Sequence, residues 1–329
     1  MEQVYSIHFF SYLKQLFNQL FKFEVPNLNA KPLSNPELEL TLTPKEESEV
    51  TKELHRMVNE NLPDPHPTPE NKTAKWITNK VAASINPQIF KGFMHGLLPG
   101  FRFRNFIEPN DAAKIGTAIR GFVEEYKTAP GVGKAGETLV EHSHDFDEYA
   151  EYAAILKDPN ISIPHRLELV DKVVGFLIRN TGFQFKPLQK DGVECFYGLF
   201  RQINTGAGWH LDDVTRDSDV FSTRKAIFQG SGVLHIITPA KGGETIMANR
   251  KAQDGDSQYL NGDGWTYNPE MLDGIVKAEV PCITGDLVFL STHNYHMVKP
   301  CLETGAERIS FSMFFVVFED EPNIFYYYN

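Results

Sequence analysis

The sequence predicts an α+β fold in which a helical first half precedes a jelly roll or barrel of short antiparallel strands. Before Gly182, apolar residues recur at the spacing of amphipathic helices. After Gly182, short runs of β-branched and aromatic residues alternate with Gly, Pro, Asn and Asp. Seven or eight such runs with turn residues between them are typical of a jelly roll or barrel.

The two halves are interpreted as parts of one integrated domain. We expect residues 1–182 to form a helical part with extended linkers, packed outside a β core of residues 183–329. Asp111 is the predicted N-cap of a central helix, and the last helix should end before Gly182. The apolar spacing predicts helices near residues 9–21, 44–61, 111–127, 145–157 and 164–180.

The first of these helices is expected to dock on the domain, although peripheral binding to a membrane or a partner is an alternative. Residues 31–75, which are rich in Pro, Glu, Asn and Lys, are predicted to be extended connections around the helix near 44–61. The strands are predicted in the segments ECFYGLFRQIN, GVLHIITP, ETIMAN, VKAEVPC, DLVFLS, HMVKP and RISFSMFFVVF.

Composition limits the partners and the compartment. The chain of 329 residues carries a net charge of −11, which argues against nucleic acid and anionic membranes because both require a basic surface. No run of 18 apolar residues occurs, so no membrane span is predicted. Cys195, Cys282 and Cys301 form no CxxC motif, which predicts free thiols in a reducing, cytoplasmic compartment.

The segment RISFSMFFVVF predicts a polar site inside the core. Alternate residues of a strand share a face, so Arg308, Ser310 and Ser312 lie on one side with Phe314 and Val316. The opposite face is wholly apolar, as expected against helices. An arginine on the inner face is costly unless an anion pairs with it, which indicates a ligand that carries a carboxylate.

A metal site is predicted from three further residues. His210 and Asp212, in the segment GWHLDDV, form the only His-x-(Asp/Glu) tripeptide in the chain. His296 follows at the start of a later strand, and Arg308 comes twelve residues after it. Two imidazoles and one carboxylate occupy one face of Fe(II) and leave positions open for other ligands. Arg308 is suited to bind a carboxylate through two hydrogen bonds, with Ser310 as a further donor.

This combination resembles the Fe(II)/2-oxoglutarate-dependent dioxygenases, whose core is a double-stranded β-helix. The resemblance covers residues 183–319 and includes the segments KGGETIM and GDLVFLS…YHMVKP. It implies that His210, Asp212 and His296 bind Fe(II), while Arg308 and Ser310 bind 2-oxoglutarate and O₂ is the second cosubstrate.

The chain departs from its relatives on the strand before the His-x-Asp motif. Many relatives have a Tyr three residues before the turn glycine, and here Ile203 stands three residues before Gly206. Other cosubstrate contacts from that strand are therefore expected. Tyr197 and Arg201 share the predicted strand face with Ile203 and are the candidates.

The resemblance implies oxidation of an unactivated C–H bond of a small molecule. The layout, including the aromatic ending FYYYN, is similar to natural-product tailoring members, namely alkaloid halogenases and algal kainoid synthases. Kainoid synthases close a pyrrolidine ring on an N-prenylated glutamate, whereas the halogenases have Gly or Ala in place of Asp212, so halogenation is disfavoured. A polycarboxylate substrate would need basic partners, for which the candidates are Arg102, Arg104, Arg201, Lys225 and Arg250.

Two other functions remain open at this point, a hydroxylase of an amino acid or a peptidyl substrate and a non-catalytic cupin-like binding module. The Arg-x-Ser pair argues against the second, because a binding module has no reason for an anion clamp. Residues 249–279 form a long insertion between strands and are expected to cover the barrel mouth with Tyr259, Trp265 and Tyr267.

Four histidines have alternative interpretations. His293 is the alternative to His296 as a metal ligand, and His142 with His144 resembles a second ligand cluster without a partner strand. His235 is expected either to line the site or to fill the core.

Overall fold

Two antiparallel sheets form the centre of the molecule. The computed structural model describes residues 40–59, 76–126, 131–157 and 162–329. The α-helices of these residues are α1 Pro44–Asn59, α2 Pro87–Met94, α3 Pro109–Ile119, α4 Phe146–Lys157, α5 Arg166–Thr181 and α6 Val214–Asp217. The strands are β1 Gly100–Phe103, β2 Glu124–Glu125, β3 Val132–Ala135, β4 Gln184–Pro187, β5 Gln189–Lys190, β6 Val193–Glu194, β7 Leu199–Ile203, β8 Ala207–His210, β9 Ala226–Ile237, β10 Thr245–Lys251, β11 Lys277–Val280, β12 Leu287–Ser291, β13 Asn294–Val298, β14 Ile309–Phe318 and β15 Ile324–Tyr328.

The strand order confirms the predicted double-stranded β-helix. Among the described residues, the larger sheet has the order β1-β12-β9-β14-β7-β3-β2, with β15 added beside β14 and β4 beside β15. The smaller sheet has the order β11-β10-β13-β8. From β7 to β14 the chain passes repeatedly between the two sheets, which is the winding of a jelly roll.

The helix termini follow local capping chemistry. The Asn86 side chain accepts the backbone N–H groups of Gln88 and Ile89 and so caps α2. The helix α5 ends as predicted, because Gly182 adopts a left-handed conformation with a φ of 74°. The predicted N-cap Asp111 is wrong, since α3 already begins at Pro109 and Asp111 lies in its first turn, paired with Lys114.

The first half of the chain contributes more than helices. Strand β1 pairs with β12, and β3 pairs with β7, so both extend the larger sheet. These strands have only four residues each and gave no recognisable alternation in the sequence. The division at residue 182 stays a prediction, and the described residues all lie within one compact unit, Pro36–Asn329.

A large apolar core fills the space between the larger sheet and the helices. Phe90 of α2 stacks on Phe101 of β1, and Phe93 of the same helix meets Phe101 edge to face. Phe228 and Phe325 of the sheet contact the same helix. The predicted helix near 9–21 and residues 60–75 lie outside the described residues. In the part of the chain that is described, no helix has the length and apolarity needed to cross a membrane.

Candidate metal centre

The three predicted metal ligands come together where β8 meets β13. His210, the last residue of β8, lies directly opposite His296 of β13, and their ring centroids are 4.2 Å apart. Asp212 follows β8 by two residues, and its Oδ2 lies 3.3 Å from Nε2 of His296. One ligand atom from each of the three residues lies within 4.8 Å of the others, and no second such group occurs among the described residues.

Backbone carbonyls orient both imidazoles. Nδ1 of His210 lies 2.7 Å from the carbonyl oxygen of Gly208, and Nδ1 of His296 lies 3.0 Å from that of Asn294. A carbonyl oxygen only accepts, so each Nδ1 carries the proton and each Nε2 presents its lone pair to the site. This is the arrangement in which metal-binding histidines are usually held.

The electrostatics favour the metal-binding form of these groups. Burial and the neighbouring His296 lower the pKa of His210 to about 4, so its imidazole is neutral at pH 7. Burial alone would raise the pKa of Asp212, but the adjacent imidazole of His296 and the nearby Arg201 hold it well below its usual range. Two imidazoles and one carboxylate fit a divalent iron ion with open positions.

The backbone after the motif fixes Asp212 in place. Its N–H donates to the carbonyl of Thr292 at 3.0 Å. The next residue, Asp213, caps α6 by accepting the N–H of Thr215, and it also lies 3.5 Å from His293. His293 therefore interacts with Asp213 and is not part of the triad, and His296 takes the third position.

Arg308 lies in the same cavity as the triad. Its Nε donates to the carbonyl of Gly243 at 2.9 Å, and its backbone N–H donates to Oδ1 of Asn204 at 2.9 Å. The side chain is buried, and no carboxylate among the described residues pairs with it. Ser310 lines the same cavity, so both residues of the predicted anion clamp face the metal ligands.

Two neighbouring cavities are lined by residues of the triad. The inner cavity, of about 70 Å³, lies between the sheets and reaches Arg308 and Ser310. The outer cavity, of about 460 Å³, opens beside His210. Both are lined by Arg201, Ile203, Ala207, His210 and Asp212. The inner cavity suits a compact cosubstrate and the outer one a larger organic molecule.

The insertion covers the outer cavity. It spans residues 252–276, slightly less than predicted, because β10 extends to Lys251 and β11 begins at Lys277. Trp265 lines the cavity with its ring 5.3 Å from that of His210. Tyr267 also lines it and packs edge-on against Tyr295 of β13.

The expectation that Tyr197 contacts the cosubstrate requires correction. Gly198 has a φ of 81° and interrupts the predicted strand, so Tyr197 no longer shares the alternation of β7. Its ring packs against Tyr327 and lies beneath the Arg166 guanidinium, away from both cavities. Arg201, the second candidate on that strand, does line both cavities.

The other basic candidates lie away from the site. Arg102 forms a buried ion pair with Asp286, Lys225 pairs with Glu319, and Arg250 pairs with Asp256. Arg104 is absent from the lining of both cavities.

The remaining histidines have structural surroundings. His142 is buried beside Glu137 and Glu148, and His144 contacts Asp219 at the surface. His235 is buried, with Nδ1 3.6 Å from Sγ of Cys282. It is absent from the lining of both cavities, so it is a core residue.

Arg216 and Asp217 were missed by the sequence analysis. Both line the outer cavity, because α6 turns the chain back immediately after the metal motif. Nη2 of Arg216 lies 2.8 Å from Oδ1 of Asp217, and the arginine also donates to the carbonyl of Leu211. The sequence did contain a signal for this pair, because two charged residues follow Asp212 at a distance of about one helical turn.

Comparison with known proteins agrees with this architecture, although no family model matches the chain. L-gamma-glutamyl-L-propargylglycine hydroxylase of Streptantibioticus cattleyicolor is 27% identical over 153 residues, which are 46% of this chain and 54% of the relative. The chain thus spans about half the length of that relative. Leucinostatins biosynthesis cluster protein S of Purpureocillium lilacinum is 25% identical over 191 residues, 54% of this chain and 76% of the relative.

Among solved structures, an N-substituted L-amino acid dioxygenase from Burkholderia ambifaria superposes with a TM-score of 0.54 and 16% identity. The match covers 78% of this chain and 97% of that chain. The same dioxygenase in complex with alpha-KG matches with a TM-score of 0.53. The two-sheet core therefore places the protein in the class of double-stranded β-helix proteins, here with a His-Asp-His triad. More narrowly, the fold is the one seen in this N-substituted L-amino acid dioxygenase, in agreement with the fold that the sequence motifs predicted.

Proposed function

We propose that the protein is an Fe(II)- and 2-oxoglutarate-dependent oxygenase that oxidises a C–H bond of a small, amino-acid-like molecule. One observation carries this proposal: the His210, Asp212 and His296 triad opens into the same cavity as Arg308. A buried guanidinium without a carboxylate partner near three metal ligands favours a chelating cosubstrate whose far end is an anion.

The residues have separate tasks in this proposal. His210, Asp212 and His296 would hold Fe(II), which when bound supplies the activation of O₂ that side chains cannot provide. Arg308 and Ser310 would bind the far carboxylate of 2-oxoglutarate and so fix its orientation. Trp265 and the rest of the insertion would limit access of water to the outer cavity.

Hydroxylation is the first reaction to consider. In hydroxylation, the substrate C–H bond becomes C–OH while 2-oxoglutarate and O₂ become succinate and CO₂. The relative from Streptantibioticus cattleyicolor, which is named as a hydroxylase of a glutamyl amino acid, supports an amino-acid-like substrate.

Oxidative ring closure of an N-prenylated glutamate is the narrower proposal. Here the substrate loses two hydrogens to form a C–C bond, and O₂ yields water as well as succinate and CO₂. The resemblance in layout to kainoid synthases supports it. Mass spectrometry separates the two reactions, since a hydroxylated product gains one oxygen and a cyclised product loses two hydrogens.

The proposal is tested by loading the anaerobic protein with Fe(II) and 2-oxoglutarate. We expect the weak visible charge-transfer band of the chelate, and we expect His210→Ala and Arg308→Ala to lose or weaken it. His293→Ala is the matched control, because His293 lies near the triad without belonging to it. A folded, iron-loaded wild type without the band would favour a cupin-like binding module.

A further inference from the structure

Arg201 lies where the inner and outer cavities meet. It is the central residue of β7, directly opposite Lys134 of β3 on one side and Ser310 of β14 on the other. Opposed residues of antiparallel strands share a face, so Arg201 points from the larger sheet towards the metal ligands. It lines both cavities together with His210 and Asp212.

Arg201 forms no ion pair with a carboxylate of the described residues. Its Nε–H is buried and has no hydrogen-bond partner among the described residues. The charge of Arg201 acts on Asp212, a residue of the triad that shares both cavities with it. Glu137 and Glu141 both bind Lys134, the residue opposite Arg201. Desolvating a cation without a counter-ion is costly, so a position of this kind is suited to an anionic ligand.

The other arginine of the outer cavity differs in this respect. Arg216 is paired with Asp217 at 2.8 Å, so its charge is balanced within the protein. Arg201 is thus the basic residue of the outer cavity that remains available to bind an anion, as far as the described residues show.

Arg201 and Arg308 serve different ends of the site. The Arg201 guanidinium lies over the ring of Phe314, 5.0 Å from its centroid. Phe314 is six residues along the chain from Arg308, a distance of about 20 Å in an extended strand. The Nε–H of Arg308 donates a hydrogen bond to the carbonyl of Gly243, at the other end of the site. The two guanidinium groups therefore have separate contacts, that of Arg201 with Phe314 and that of Arg308 with Gly243.

We propose that Arg201 binds a carboxylate of the organic substrate, and this inference rests on the proposed oxygenase function. The substrate is then an organic acid whose apolar portion lies along Ile203, Leu260 and Trp265 of the outer cavity. Trp265 contacts His210, so this apolar portion is the part presented to the metal centre for oxidation. The acid group anchors the molecule and is not itself the reacting group.

The test compares carboxylic acids with their neutral amides. The probes are N-prenyl-L-glutamate, N-acetyl-L-leucine and octanoate, each with its primary amide. Binding to the anaerobic Fe(II)/2-oxoglutarate complex is followed by the change in the charge-transfer band and by tryptophan fluorescence. The proteins are wild type, Arg201→Gln, Arg201→Lys and the control Arg224→Gln. Arg224 also lies over a β14 ring, that of Phe318, but it is paired with Asp320 and Glu321.

The proposal predicts that at least one acid binds wild type about tenfold or more tightly than its amide, as expected for a charge-assisted pair. Arg201→Gln should abolish this preference and leave the affinity for 2-oxoglutarate nearly unchanged. Arg201→Lys, which keeps the charge and serves if the glutamine variant does not fold, should retain a weakened preference. Arg224→Gln should behave as wild type.

If wild type shows the charge-transfer band, three results would overturn the proposal that Arg201 binds the substrate carboxylate. They are the absence of any acid preference across the panel, an acid preference that survives in Arg201→Gln, and a loss of 2-oxoglutarate binding in that variant with acid binding intact. Absence of the band in wild type would instead refute the oxygenase function itself, so the two failures are distinguishable.

Discussion

At the residue scale, Gly243 of the segment KGGETIM shapes the proposed cosubstrate site around Arg308. Its φ is 77°, and an added Cβ would lie 3.2 Å from Cδ of Arg308 and 3.3 Å from Sγ of Cys282. Its carbonyl also accepts the Nε–H of Arg308. The glycine therefore permits the backbone to approach and orient the buried guanidinium.

Substitution of Gly243 should weaken cosubstrate binding. We expect Gly243→Ala to raise the Kd for 2-oxoglutarate about tenfold and to destabilise the protein by about 1–2 kcal/mol, because a side chain at positive φ is strained. Gly305→Ala is the matched control, since Gly305 has a φ of 78° with no atom within 4 Å of an added Cβ. Titration of the charge-transfer band measures the Kd, and an equal effect of both substitutions would contradict the contact with Arg308.

Asp217 contributes a pH dependence to folding. Burial raises the pKa of its carboxyl to about 6, although Arg216 opposes the shift. The unfolded chain releases this proton near pH 4 and the folded chain near pH 6. The folded state therefore holds more protons in this interval, and this group makes the protein less stable as the pH rises.

Asp217→Asn should remove that dependence. The prediction concerns the free energy of unfolding of the variant relative to that of wild type. This relative stability should increase by about 2 kcal/mol from pH 4 to pH 7. Urea unfolding at the two pH values measures the difference, in which the other titrating groups cancel. A difference that is independent of pH would show that the carboxyl titrates normally.

At the element scale, one part of the insertion of residues 252–276 is anchored to the sheet, and another part lines the outer cavity. Asp256 accepts hydrogen bonds from Arg250, from the backbone of Gln253 and from the Tyr295 hydroxyl, the last at 2.9 Å. Trp265 lies farther along the same insertion and faces the cavity. The buried acid thus ties the cover of the cavity to β10 and β13.

Removal of this charge should release the insertion. Asp256→Asn leaves the Arg250 guanidinium without its ionic partner, which should lower the free energy of unfolding by about 2–4 kcal/mol. Hydrogen exchange of residues 252–276 should accelerate, while β14 stays protected. Asp273→Asn, at an exposed acid of the same insertion, is the control and should leave the exchange unchanged. Unaltered exchange in Asp256→Asn would contradict the anchoring role.

At the scale of the whole molecule, the two halves of the chain share one sheet. Strand β1 covers the edge of β12, and β3 covers the edge of β7. A buried ion pair between Arg102 and Asp286, at 2.7 Å, joins β1 to the start of β12. These contacts support one integrated domain.

The fragment of residues 183–329 should therefore not fold by itself. Removal of β1 and β3 exposes two strand edges and the apolar face that the helices cover. We expect the fragment to lack near-ultraviolet circular dichroism and a cooperative thermal transition, both of which the full chain should show. A cooperative transition of the fragment would establish residues 183–329 as an autonomous core.

The amino-acid sequence was sufficient to predict the fold class and to name the three residues that come together as the His-Asp-His triad, because their signals are local. Turn residues between short apolar runs define a jelly roll, and alternation along one strand places Arg308 and Ser310 on the same face. His210 and Asp212 are two residues apart, so their proximity follows from the sequence, although Asp212 lies beyond the end of β8 and its backbone is held by Thr292. Only His296 required a topological assumption, and the β8–β13 pairing confirms it.

The tertiary structure decided what depends on contacts between distant segments. The same alternation predicted the wrong surroundings for Tyr197, because Gly198 at positive φ interrupts the strand. The separate surroundings of Arg201 and Arg216 were invisible in the sequence, since an ion pair or its absence is a property of neighbours in space. Periodicity reports which face a side chain occupies, whereas only the packed structure determines what that face meets.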